Sequence, residues 1–184
     1  MARSRRSVQA VAAAALVLLA SAAFAGVAAG ISARTSGEGA FDVRGMPGEF
    51  AMVALASSDR GAKGSFRYEL IFQGQLVDFD GAVTCVTFDA EHHRAWIGGV
   101  VTANRSVHPT YTTPRTQPGR DIWFRVVDYG EGAASPPDRT SFVGFEGDAE
   151  ILTSAEYCAE QPWPMDPPDD RTWPVTSGNI QVRP

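Results

Sequence analysis

The chain contains three histidines, His92, His93 and His108. Imidazole is the side chain best suited to moving protons near neutral pH or to holding zinc or copper. His92 and His93 are adjacent, so an extended backbone sends them to opposite faces, and a shared metal requires a turn. With Asp89, Glu91 and His108 they could complete a metal shell after folding. The run DAEHHR also reads as a plain polar hairpin tip between two strands. A second group is acidic. Asp128, Glu131 and Asp138 flank a glycine-rich turn, and carboxylates on such a loop offer the hard oxygens that calcium takes. Their spacing is not that of an EF-hand, and the same acids read equally as caps of the loop. A third group is aromatic. Trp163 and Trp173 lie in EQPWPMDPPDDRTWP, and Tyr111 lies in another proline-containing stretch. Rings on stiff loops form platforms for a sugar or a peptide, or else cover an open end of the fold.

Other chemistries leave no signature. The sequence has no G-x-S-x-G elbow for a serine nucleophile and no glycine loop followed by a phosphate-binding lysine. The 21 acids supply many pairs by chance, so a glycosidase-like pair stays open without being singled out.

The elements that would position these residues read as strands. In SFRYELIF, Phe66, Tyr68, Leu70 and Phe72 share one parity against Arg67 and Glu69, the period of a half-buried strand. Ile122, Phe124 and Val126 alternate with Trp123, Arg125 and Val127 in the same way. Residues 76–79 and 82–88 read as two strands joined by an Asp80-Gly81 turn. Residues 95–103 form another, in which Gly98-Gly99 predicts a bulge or a close backbone approach. Trp96 and Trp123 fall in these strands as core residues. Residues 49–56 read as strand or short helix, and 141–145, 149–153 and 179–183 as weaker strands. A short helix is expected over 153–161. Eleven of the twelve prolines fall at or after Pro109, which makes 104–120, 130–140 and 160–174 loops, because proline cannot donate to a ladder.

The chain has 184 residues and a formal net charge of -5. Arg3, Arg5 and Arg6 precede an apolar run over 11–31, and no acid occurs before residue 34. The remainder carries 13 bases against 21 acids, a balance that excludes a phosphate-backbone binder. The basic start, apolar middle and Ala23-Phe24-Ala25 fit a secretory leader cut before Gly26. An uncleaved membrane anchor reaching to about residue 31 fits as well. Either way the rest is exported. Export makes a Cys85–Cys158 bridge the expected state of the two cysteines, with two buried thiols as the alternative.

The runs Asp80-Gly81-Ala82-Val83-Thr84-Cys85, Trp96-Ile97-Gly98-Gly99, Asp128-Tyr129-Gly130-Glu131-Gly132 and Gly178-Asn179-Ile180-Gln181-Val182, in that order, resemble a group of small secreted bacterial all-β domains that are mostly uncharacterised. The resemblance spans roughly residues 38–184. It implies export and an all-β fold and brings no activity with it.

The expectation is therefore an all-β protein, an antiparallel β-sandwich or barrel of about seven to nine short strands behind an apolar leader helix. Residues 1–25 are the signal peptide, 32–48 a flexible tether and 49–184 one domain. No cofactor is required, with calcium at Asp128, Glu131 and Asp138 the one candidate ion besides a metal at His92, His93 and His108. The expected role is a non-catalytic secreted or cell-envelope module binding carbohydrate or protein. A small hydrolase using a carboxylate pair or a His-centred metal is the alternative. Contact with a membrane would come only through the N-terminal segment.

Overall fold

The computed structural model describes residues 31–184, apart from 60, 133 and 163–170. The expected leader helix lies outside the described residues. Nine strands follow in order: β1 (Ile31–Val43), β2 (Met46–Ser57), β3 (Gly61–Phe72), β4 (Gln75–Asp89), β5 (Arg94–Asn104), β6 (Asp121–Val127), β7 (Arg139–Thr140), β8 (Gly144–Phe145) and β9 (Trp173–Arg183). One helix, α1 (Ser154–Glu160), precedes β9. Each strand from β1 to β6 pairs antiparallel with the next, β7 follows β6, and β9 lies between β7 and β1. The result is a closed eight-stranded antiparallel barrel. The extra strand, β8, pairs with β6 beyond β7. The β6–β8 register is one residue out of step with β6–β7, so the two short strands form one edge interrupted at 141–143.

The period-2 pattern explains closure. Phe50, Met52 and Ala54 on β2, Phe66, Tyr68 and Leu70 on β3, and Val77 and Phe79 on β4 are all buried and fill the lumen. At its centre the Tyr68 ring meets Phe41, Phe50, Phe124 and Phe142. Its hydroxyl bonds to Thr140 Oγ1, which satisfies the one polar atom of that ring. Burial drives the Tyr68 hydroxyl far above the usual phenol range.

Three expectations need correction. Residues 32–48 are not a tether: 31–43 form β1, paired to β2 and β9 along most of its length. Asp80-Gly81 is not a turn. The strand runs through it with a register shift at that point, because a Cβ at Gly81 would sit 2.1 Å from Phe66 Cζ, and glycine leaves the ring its place. Residues 149–153 are not a strand; a 3-10 turn (Asp148–Glu150) leads instead into α1, whose N-cap Thr153 accepts from the Glu156 amide.

α1 covers a second, smaller core on the outer side of the barrel wall. Trp96, Trp123, Ile151 and Tyr157 are buried there, with Trp123 and Tyr157 stacked at 5.6 Å. The two tryptophans are thus core residues, but not of the lumen. Ser154 Oγ donates to Gly99 O at 2.6 Å, and Cys158 is bridged to Cys85. A Cβ at Gly98 would lie 2.6 Å from Cys85 Sγ and 2.8 Å from Ser154 O, so the expected close approach is that of the helix and its bridge.

The bridge closes a separation of 73 residues. Replacing both cysteines by serine is expected to cost about 4 kcal/mol on the chain-entropy relation. Urea unfolding measures it, and near-UV circular dichroism of the Trp123–Tyr157 pair is expected to fade first. A loss well under 1 kcal/mol would mean that packing alone holds α1.

Candidate functional site

The loop that carries Asp128, Glu131 and Asp138 lies where the barrel closes. β7 pairs only with Trp173 and Pro174 of β9, while β1 pairs with β9 as far as Arg183. Beyond residue 175 the other edge of β9 therefore has no strand beside it among the described residues. Asp138 Oδ2 accepts from Ile180 N at 2.8 Å, and Asp128 Oδ2 from Val182 N at 2.9 Å. The second oxygens are also occupied. Asp138 Oδ1 accepts from Tyr129 N at 3.0 Å and Asp128 Oδ1 from Gly130 N at 2.8 Å. Glu131 Oε1 accepts from the side-chain amides of Asn179 and Gln181, each at 3.2 Å. Two aspartates thus take the place of a missing strand. Burial pushes the Asp138 carboxyl above the usual range against the pull of its two amide bonds, and the charges of Asp128 and Glu131 push the same way. The calcium expectation is corrected accordingly: these oxygens face backbone and side-chain amides, not a common point.

The histidines do not converge. His92 and His93 lie in the turn between β4 and β5. His108 follows β5, so that strand's eleven residues, roughly 35 Å of extended chain, separate it from the other two. His92 Nδ1 lies 2.8 Å from Asp89 Oδ2. Burial opposes ionisation of Asp89, but the ring, amide and charge of His92, with the charge of Arg94, hold its carboxyl below the usual range. His93 has φ 50° and is exposed, as a tight turn requires. His108 is buried against Phe72 and Tyr111, and its Nδ1 accepts from Thr110 N. Among the described residues no three or more His, Cys, Asp or Glu are gathered to hold a metal.

Of the three aromatic candidates, two lie among the described residues, and neither stands free on a loop. Tyr111 sits on a 3-10 turn (Pro109–Tyr111) and faces Phe72, Phe79, Phe142 and Phe145. It plugs one end of the barrel. Asn104 Nδ2 holds the plug by donating to Tyr111 O at 2.8 Å and Thr116 O at 2.9 Å. Trp173 opens β9 and is half-buried against the lumen core. Trp163 lies outside the described residues.

What the structure assembles instead is the outer wall of β9, β1, β2, β3 and β4, where paired registers place side chains in belts. At the end nearest residue 31, Arg183, Arg34, Leu55 and Lys63 lie side by side. Two residues along come Gln181, Ser36, Val53 and Ser65, and next Asn179, Glu38, Ala51 and Arg67. Beyond these are Ala40, Glu49, Glu69 and Asp78. A groove of about 520 Å³ runs here, lined by Glu38, Glu49, Glu69, Arg67, Phe50 and small residues. Arg105 lies beside the groove, on Asp78, the strand partner of Glu69. Its guanidinium grips both oxygens of buried Asp78 at 2.7 and 2.9 Å and reaches Asp80 at 2.8 Å. The hydrogen bond and charge of Arg105 hold Asp80 below the usual carboxylate range. Arg34 and Glu38 escaped the sequence reading because glycine and serine disguised β1. The available signal was the polar parity Arg34, Ser36, Glu38 against Thr35, Phe41 and Val43.

No family model, curated protein or solved structure matches this chain.

Replacing Asp138 by alanine leaves the Ile180 and Tyr129 amides without acceptors and is expected to cost about 2–4 kcal/mol, read by urea unfolding. The pH dependence has a definite sign. With its folded pKa raised, Asp138 binds its proton more tightly in the native state than in the unfolded chain. Its contribution is complete below the ordinary carboxylate range and is lost as pH rises through the folded value. The melting temperature of Asp138→Asn, which cannot titrate there, should therefore gain on wild type from mildly acidic to neutral pH. The opposite slope would mean that the ionised carboxylate is what the seam requires.

Proposed function

We propose that this chain is a non-catalytic binding or structural module that works outside the cytoplasm, and that its outer wall makes the contacts. The observation that carries the reading is the filled and plugged barrel. Its lumen is packed with Phe, Tyr and Leu side chains, and Tyr111 closes one end. A barrel enzyme or carrier of small ligands keeps a cavity with a few convergent polar groups. The candidate catalytic and metal groups are engaged in holding the fold: Asp128 and Asp138 at the seam, His108 under the plug. A bridged cysteine pair supports an oxidising compartment. The secretory leader motif and the resemblance to small secreted bacterial domains support the same location.

A protein partner fits the wall better than a sugar does. Carbohydrate sites present aromatic faces, whereas the belts of this wall carry charged, small and aliphatic side chains. Membership in the secreted all-β group is part of the same proposal.

The test is an assay of the purified exported chain on glycosidic, ester and peptide substrates, with and without added zinc or calcium. No turnover above buffer is expected. Turnover that disappears in His93→Ala or Glu49→Gln, with melting unchanged, would overturn the reading and make the protein a hydrolase.

A further inference from the structure

We infer that His108 is a pH-dependent latch on the barrel plug: the neutral imidazole holds the plug, and proton uptake releases it. This device goes beyond the non-catalytic reading and does not depend on it.

The plug is a single 3-10 turn, Pro109–Tyr111, and its first residue has no amide proton to bond. The next amide, Thr110 N, donates to His108 Nδ1 at 3.2 Å, and Tyr111 N donates to His108 O at 2.9 Å. Turns and helices are ordinarily capped by Ser, Thr, Asp or Asn, whose oxygens accept across the neutral range. An imidazole nitrogen accepts only while it carries no proton. Here the cap fixes the tautomer. Nδ1 accepts, so the proton is on Nε2, which faces Gln73 Oε1 at 3.5 Å. A second proton has one place to go, the Nδ1 lone pair that the Thr110 amide uses. Capping and proton uptake therefore exclude each other, and acid favours the uncapped turn by mass action.

The surroundings offer the charged ring no partner. His108 is 8% exposed. It touches Phe72, at the end of β3, and Gln73 just beyond, with Thr110 and Tyr111 of the plug on its other side. Of these only Tyr111 titrates. Burial, with the charge of Asp148, raises its hydroxyl against the pull of Arg115, so it carries no charge. No carboxylate pairs with His108 among the described residues. The nearest charge along the chain, Arg105, is engaged by Asp78 and Asp80. An imidazolium in such a place must move toward water, and it takes from the plug the ring that Phe72 and Tyr111 pack on. Asn104 holds the other side of the plug through Tyr111 O and Thr116 O. The side that lets go is therefore the one at His108, where water reaches the ring of Phe72 and the edge of Tyr111.

The test is NMR of the isotope-labelled chain between about pH 7.5 and 5.5, the span in which an imidazole changes charge. At the upper pH the His108 ring is expected as the Nε2–H tautomer, with the Thr110 and Tyr111 amides slow to exchange. As the ring gains its second proton, hydrogen-exchange protection of both amides is expected to fall roughly three- to thirtyfold, the range of a lost cap. His108→Asn keeps a capping oxygen that does not titrate, and its protection is expected to stay level over the same span. Acid strengthens the Asp138 seam, so a loss of protection at the plug does not come from there. Four results would each overturn the inference: a ring that takes its second proton while the Thr110 amide stays protected, a ring that stays neutral throughout, amides unprotected at neutral pH, or an equal loss in His108→Asn. The first three are read on the wild-type chain and decide the matter even where the variant fails to fold. None of them bears on turnover, so the non-catalytic reading stands or falls separately.

Discussion

A closed antiparallel barrel exists only if its last strand can be satisfied on both edges. Here that condition falls on β9, and β7, at two residues, is too short to meet it. The unmet amides of Ile180 and Val182 are taken by Asp138 and Asp128. A buried N–H without an acceptor costs about as much as several exposed contacts contribute, so the register of β9 depends on these two side chains. The register then decides the rest. It sets Val175, Ile180 and Val182 toward the lumen, and it aligns Arg183 with Arg34 and Asn179 with Glu38 on the outside. A slip of one residue would exchange these faces. The seam therefore links the packing of the interior to the charge pattern of the exterior.

The same seam shows why a loop rich in acids need not be a metal site. Calcium requires oxygens directed at one point, several at a time. Asp128 and Asp138 each have one oxygen directed at the loop's own backbone and one at β9. Burial first, and then the repulsion among three carboxylates at close quarters, makes Asp138 hold its proton more firmly. Four hydrogen bonds from main-chain amides still hold the two aspartates in place.

How much of this was legible in the sequence depended on what each strand packs against. β3 and β6 were readable because large apolar residues face the lumen at every second position. β1 was not, because Gly37 and Gly39 interrupt its apolar parity. A Cβ at Gly39 would lie 2.0 Å from Ser177 O, so glycine stands there because β9 passes so near, a fact about another part of the chain. Gly81 has the same cause in the ring of Phe66. Glycine within a strand and glycine in a turn look identical until the neighbour is known. The cysteine pairing was legible because the leader motif favours oxidised thiols and two cysteines leave one intramolecular pairing. The place of Tyr111 was not legible because exposure belongs to the assembled fold. Tyr111 lies in a proline-containing loop, as expected, but that loop folds inward over an open barrel end where Phe72 and Phe79 would otherwise meet water.

The charges on the outer wall are placed against the interest of the single chain. A lysine or arginine opposite Glu49, or an acid opposite Arg34, would form stabilising cross-strand pairs worth roughly 0.2–1 kcal/mol each. The chain builds such pairs where the fold alone requires them. Arg105 and Arg67 converge on Asp78 beneath the loop that leads to the barrel plug. Its ability to pair charges is therefore not in question. Where they are left opposed, like against like in two belts of contrary sign, the isolated molecule is less stable than its own composition permits.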